Sequence, residues 1–207
     1  MILTSRQQAI VIGNMLGDGG VYIPKKYINA HFQIKQSDKY REYLFWLFGE
    51  LKDLCGSGPK QRMDNAQWYF QTRAFEDLTA LQNIFYDNRK KIVPENIKEL
   101  LISPLSLAVW FMDDGTLDYR LKDHCAFHLC TNCFSKVEAQ LLADVLKENF
   151  GIMASVHYTL CRGKRHSRVY IGAKGRDQFI KLISPYILDC FKYKLPKYRE
   201  APQRLDS

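Results

Sequence analysis

Two nine-residue stretches, VIGNMLGDG at 11–19 and LAVWFMDDG at 107–115, each end an apolar run in an acid and a glycine, and the segments after them follow in the same order. Both runs open on helix signals. Thr4 with Gln7 three positions later is a capping box, while Ser103 and Pro104 place serine at the N-cap and proline at the first helical position. The first helix is expected to stop at Gly19 or Gly20, the second at Asp114 and Gly115. After each comes a glycine turn, a polar hairpin-like segment and an alternating stretch, HFQIKQ at 31–36 and FHLCT at 127–131. An amphipathic helix follows, roughly Lys39 to Leu54 in the first half and one opened by the capping box Ser135–Glu138 in the second. Two further strand-like segments then appear in each half, GPKQRM with QWYFQTR and SVHYTLC with SRVYIGA. Closing helices end in RKKIVP (89–94) and KYKLP (192–196).

The order is kept while loop lengths drift: Asp18 matches Asp114, Phe32 matches Phe127 and Lys91 matches Lys194, at offsets of 96, 95 and 103 positions. This duplication restricts the chain to an α+β fold of two pseudo-twofold-related α-β-β-α-β-β-α units, 1–100 and 101–207. Each carries a four-stranded antiparallel sheet, and the two repeated helices form the contact between them. Gly13 and Gly17 lie four apart on one helical face, smooth enough for a second helix to approach closely, with Ala108 the small residue near the equivalent place.

Side by side, the two helices deliver Asp18 and Asp114 to one end. A helix C-terminus is already partly negative, and two acids brought near each other repel, so a positive group must compensate. A hard divalent cation, Mg²⁺ first, meets that need, and two such ions could flank a phosphodiester for in-line attack by water. Mn²⁺ is expected to substitute and Ca²⁺ to bind without supporting cleavage. The preceding residues, Gly17 and Asp113, complete the candidate metal set, with Asp113 read first as an interface group.

Thirty Lys and Arg against 22 Asp and Glu give a charge of +8, which favours an anionic partner such as nucleic acid. The excess is spread over both halves. The opening MILTSRQQAI lacks the basic flank and apolar core of a secretory signal, and no stretch approaches the ~18 apolar residues of a span, so the expected location is intracellular and off the membrane. The six cysteines then read as thiols. His124, Cys125, His128, Cys130 and Cys133 invite a zinc reading, but alternation along a strand would turn Cys125 away from His128 and Cys130.

The two nine-residue stretches resemble the paired motifs of the LAGLIDADG homing endonucleases, in the single-chain, two-motif form. The similarity extends over nearly the whole chain, through FQIKQSD and the lysines of KKIVP and YKLP, and SPLSLAVWFMDDG is similar to the omega-intron meganucleases of mitochondrial large-subunit ribosomal RNA genes. Val109 departs from the pattern, standing where the motif has its first glycine, although Gly13 can supply the close approach from the other side. The resemblance implies a monomeric, intron-encoded enzyme of an organelle or of a bacterial or archaeal cytoplasm. Such an enzyme hydrolyses both strands of double-stranded DNA and leaves 3′ overhangs. It further implies that Asp18 and Asp114 are the metal-binding catalytic carboxylates, that Lys91 and Lys194 sit over the sites, and that Gln36 organises active-site water. The counterpart of Gln36 is Thr131, so the two strands are expected to be cut unequally.

Sheets of this kind can enter the major groove. The candidate DNA contacts are Lys25, Lys26, Lys35, Lys60, Arg62, Arg73, Arg120, Lys122, Arg162, Lys164, Arg165 and Arg168. Because the halves differ, the target should be long and asymmetric. The competing readings are an intron RNA maturase and a regulator-like DNA binder; the latter usually adds a separate DNA-binding domain, and the residues after Pro196 read only as a short polar tail.

Overall fold

Thr4 accepts a hydrogen bond from the Gln7 backbone N–H, and the Gln7 side chain accepts one from the Thr4 N–H. From this box helix α1 (Ser5–Leu16) runs into the centre of the computed structural model, which describes residues 1–120, 124–161 and 163–196. Next come β1 (Gly20–Tyr22), β2 (His31–Gln36), helix α2 (Arg41–Leu51), β3 (Lys60–Gln61), β4 (Trp68–Gln71) and α3 (Glu76–Phe85). A small hairpin of β5 (Tyr86–Asp87) and β6 (Lys90–Lys91) and one helical turn, α4 (Ile97–Leu100), lead into the second unit. That unit comprises α5 (Pro104–Asp114), β7 (Gly115–Arg120), β8 (His124–Cys130), α6 (Lys136–Phe150), β9 (Ser155–Cys161), β10 (Lys164–Ile171) and α7 (Ala173–Ile183).

The two antiparallel sheets share one strand order, β1-β2-β4-β3 and β7-β8-β10-β9, as a duplicated unit requires. Helices α1 and α5 pack along each other, and a Cβ built on Gly13 would stand 2.6 Å from the Ser106 carbonyl oxygen and 2.7 Å from the Val109 Cβ. Only glycine permits that approach. The Ser106 hydroxyl crosses the seam to donate to the Ala9 carbonyl at 2.8 Å. Most residues of both helices are buried, because one stripe faces the partner helix and another faces the unit's own sheet. Phe111, for instance, meets Phe127 and Phe179 edge-on at 5.5 and 5.3 Å.

Three local expectations need correction. Helix α1 stops at Leu16, short of Gly19, because the Asn14 carbonyl takes both the Gly17 and the Gly19 N–H and turns the chain out of helical register. RKKIVP lies in no helix: α3 ends at Phe85, and Asn88 and Arg89 adopt positive φ of 46° and 67° to close the β5–β6 hairpin. In the second unit α7 likewise ends early, at Ile183, and KYKLP follows in a 3-10 turn, Asp189–Lys194, and the residues after it. Strand β8 runs from His124 to Cys130, so Thr131 lies just beyond it.

Alternation along the strands sorts the sheets into two faces. Phe32, Ile34 and Phe70 in one sheet, and Phe127, Leu129, Val169 and Ile171 in the other, turn into the core under the helices. The opposite faces are open. They present His31, Gln33, Lys35, Lys60, Tyr69 and Gln71 in the first unit, and Thr116, His128, Arg168, Tyr170 and His157 in the second. Among the described residues no helix is long and apolar enough to cross a membrane.

Candidate functional site

Helices α1 and α5 carry their acids to one end of the seam, Asp18 two residues past α1 and Asp114 on the last residue of α5. Burial first, and then the charge of Asp18, push the Asp114 carboxyl up to about 6, while Lys91 and Lys194 pull it the other way. The charge of Asp18 thus reaches Asp114, and the ammoniums of Lys91 and Lys194 oppose it.

The lysines are committed elsewhere. The Lys91 ammonium donates to the Gly17 and Gly19 carbonyls at 2.9 and 2.7 Å, and the Lys194 ammonium donates to those of Phe111 and Met112 at 3.2 and 2.7 Å. Each satisfies main-chain oxygens where a motif helix ends and so offsets the negative end of that helix dipole. Burial is the main influence on both groups and lowers their pKa values, against the pull of the neighbouring acids. This compensation is what lets an acid stand at an otherwise repelling helix end.

The two acids are held differently. Gln36, at the end of β2, donates from Nε2 to Asp18 Oδ2 at 2.9 Å. Thr131 occupies the matching place in the second unit, but its hydroxyl donates to the Ser167 carbonyl at 2.7 Å and is fully buried. Among the described residues Asp114 has no such amide bonded to it. Asp113 reaches across the seam instead, accepting from the Asp18 N–H at 3.1 Å and from the Tyr43 hydroxyl at 2.7 Å. A Cβ on Gly17 would lie 2.5 Å from the Asp113 Cβ, so the glycine of one motif makes room for the acid of the other. Burial, and next the charge of Asp18, raise the Asp113 carboxyl well above the usual carboxylate range. Tyr43 escaped the sequence reading because it looks like one more apolar position of α2. Its signal was a hydroxyl on the buried stripe with Leu44 and Leu47, where a polar atom needs a partner.

These contacts rank the candidate metal set. Asp113 spends both carboxylate oxygens on the Asp18 N–H and the Tyr43 hydroxyl, while Gln36 takes only Oδ2 of Asp18, so the Asp18 and Asp114 carboxylates are the freer donors, with the Gly17 carbonyl, shared with Lys91, next to Asp18. Hard oxygen donors of this kind suit a Mg²⁺-type ion, which is held by one or two carboxylates and completed by substrate oxygens and water. Among the described residues no group of three or more His, Cys, Asp and Glu is placed to hold a metal. Cys125 pairs with Tyr119 on the face of β8 away from His128 and Cys130, and its thiol lies beside Arg176.

The basic candidates also divide. Lys35 and Lys60 lie on the open face of the first sheet, and Arg73 borders it beside His31 and Gln71. Arg120, Lys164 and Arg168 lie on the open face of the second. Lys25 and Lys26 are exposed between β1 and β2, and Arg62 is paired with Asp64 at 2.6 Å. Arg165 is a correction: alternation turns it to the other face, where its guanidinium lies 3.9 Å from the centre of the Tyr158 ring. Lys122 and Arg162 lie outside the described residues.

Comparison with known proteins agrees with this geometry. Residues 8–179 match the model of the LAGLIDADG DNA endonuclease family. The chain is 32% identical over 202 residues to a probable intron-encoded endonuclease 1 of Wickerhamomyces canadensis, covering 93% of this chain and 85% of that one. It is 29% identical over 199 residues to the cytochrome b mRNA maturase bI2 of Debaryomyces hansenii, covering 91% and 73%. Among solved structures it resembles the homing endonuclease I-WcaI bound to its DNA recognition sequence, with a TM-score of 0.82 at 27% identity over 96% of this chain and 89% of that one.

Proposed function

The chain belongs to the LAGLIDADG DNA endonuclease family, and on that premise we propose how its residues divide the work of a site-specific DNA endonuclease. Its two repeats, 1–100 and 101–207, lay their open sheet faces along a long, asymmetric duplex and bring one phosphodiester of each strand to the paired acids. The observation that carries this is the convergence of Asp18 and Asp114 at the foot of two packed helices.

Asp18 and Asp114 would hold Mg²⁺, with Mn²⁺ able to replace it and Ca²⁺ binding without turnover; a bound divalent ion acidifies water and neutralises charge on the phosphate. The chain supplies the rest. Lys91 and Lys194 fix the helix ends that present the acids. Asp113 and Tyr43 hold the main chain of Asp18, and Gln36 orients its carboxylate. Lys35, Lys60, Arg73, Arg120 and Lys164 bind the flanking duplex, some touching phosphates and setting register, others reading base edges. The 3′ overhangs are carried over from the family.

The test is cleavage of a plasmid bearing the intron-free host sequence in Mg²⁺. Asp18→Asn and Asp114→Asn are each expected to abolish double-strand cutting, and full activity in either variant would remove that acid from the mechanism. The similarity to a maturase supports a second reading, in which the same surface assists splicing of an intron RNA. Splicing that survives both substitutions while cleavage does not would establish the two activities as separate.

A further inference from the structure

The two units differ at a cavity of about 520 Å³ beside Asp114. Thr116, His128, Cys130, Arg168 and Lys194 line it, together with Tyr40 and Tyr193. Lys194 is spent on two main-chain carbonyls. Arg168 is not: among the described residues its buried Nε has no hydrogen-bond partner, and neither does the buried Nδ1 of His128. An uncompensated buried guanidinium N–H is costly and rare, and one on a cavity wall beside a second unpartnered ring nitrogen marks a place where a ligand supplies the acceptor.

Register shows why the first unit has no equivalent. Gln36 corresponds to Thr131 and Lys35 to Cys130; Lys35 lies opposite Tyr69, and Cys130 lies opposite Arg168. The place of Arg168 is therefore held by Tyr69 in the first unit. Conversely, the place of the amide that grips Asp18 is held in the second unit by a threonine bonded to main chain. Asp114, Cys130 and Arg168 line the same cavity, which puts the guanidinium on the Asp114 side of the site.

We propose that Arg168, supported by His128, binds the phosphate processed at the Asp114 side of the site, so that the two strands are cut with different protein chemistry: an amide-held carboxylate for one and an arginine-held phosphate for the other. A guanidinium can take two non-bridging phosphate oxygens at once, and charge develops on those oxygens during hydrolysis. The inference rests on the endonuclease reading.

The experiment uses a supercoiled plasmid carrying a target recovered by wild-type cleavage of a randomised library, with each strand end-labelled. Arg168→Gln and Arg168→Met, the second keeping a packed apolar stem, are expected to slow the single-turnover cut of one strand by at least about tenfold. Affinity in Ca²⁺ should fall by no more than the loss of one phosphate contact, and the melting temperature should remain near wild type. Gln36→Ala should slow the other strand, so the two variants accumulate nicked circles of opposite polarity, and Arg168→Lys should recover part of the rate. Equal slowing of both strands, slowing of the same strand as Gln36→Ala, or loss of affinity with an unchanged rate would overturn the assignment. A wild-type protein that cuts no target would overturn the endonuclease reading and this inference with it.

Discussion

A methyl group at Gly13 tests the seam on which the site depends. In Gly13→Ala the new carbon would lie 2.6 Å from the Ser106 carbonyl oxygen, 2.7 Å from the Val109 Cβ and 2.9 Å from its Cγ1. Carbon contacts are comfortable at about 3.5–4.0 Å, so α1 and α5 must separate by roughly 1 Å. Neither obstacle can swing aside, since one is main chain and the other a β-branched side chain with a fixed rotamer in a helix. Overpacking of this kind costs about 3 kcal/mol at its upper end, and the better helix propensity of alanine returns about 1 kcal/mol. The net loss of about 2 kcal/mol corresponds to a fall of roughly 4–8 °C in melting temperature for a chain of this length. The effect on cleavage should be larger, because a displacement of about 1 Å between reacting groups can cost on the order of a hundredfold in rate. Circular-dichroism melting and single-turnover cleavage measure the two effects. Val109→Gly removes two of the three close contacts and should be less harmful in the Gly13→Ala background than alone, a coupling read from the double-mutant cycle. A Gly13→Ala protein that melts and cuts like wild type would refute the idea that contact between these helices sets the spacing of Asp18 and Asp114.

Three further outcomes are expected. Tyr43→Phe leaves the buried Oδ1 of Asp113 without its donor, at a cost of about 1–3 kcal/mol visible as a lower melting temperature; an unchanged midpoint would show that the bond has no weight. In the metal-free protein the Asp114 carboxyl titrates at about 6 rather than its ordinary 3.8. The native state thus keeps a proton that the unfolded chain releases, and this contribution is complete below about pH 3.8 and lost as pH rises through about 6. Melts in EDTA across that window should register the loss, and Asp114→Asn should flatten it; an identical slope in the variant would assign the effect to another group. Lys164→Ala should weaken DNA binding and reduce its salt slope by about one, while Arg165→Ala, on the opposite face, should leave both unchanged; equal effects would mean that strand register does not sort these side chains.

Legibility in the sequence followed the range of the interactions. Capping boxes at Thr4 and Ser135 and the Ser103–Pro104 start are local hydrogen-bond patterns, and each recurs in the structure where the residues placed it. That both sheets share one strand order follows from the duplication, whereas the order itself, with β2 beside β4, rests on pairing between distant strands and is not legible locally. Helix ends read too long because their termination lies in contacts that no stop residue marks: a local main-chain turn onto the Asn14 carbonyl at one, and the hairpin that brings Lys91 back to Gly17 and Gly19 at another. Asp18, Asp114, Lys91 and Lys194 could be picked out by their spacing and resemblance. Asp113 could be read as an interface group, but its bond to Tyr43 could not, because that contact exists only once the two units pack together. The division of Arg165 from Lys164 needed only strand alternation, already available, applied to neighbouring basic residues.

The caps on the two motif helices also differ in when they can form. Lys91 lies 72 and 74 residues downstream of the carbonyls it binds, and Lys194 lies 82 and 83 residues downstream of its own. A ribosome delivers the N-terminal unit first, so α1 receives its ammonium while most of the second unit is still unmade. Helix α5 must wait until almost the whole described chain has emerged. Until then Asp114 ends a helix whose last carbonyls have no lysine, so the end of α1 can be capped well before the end of α5.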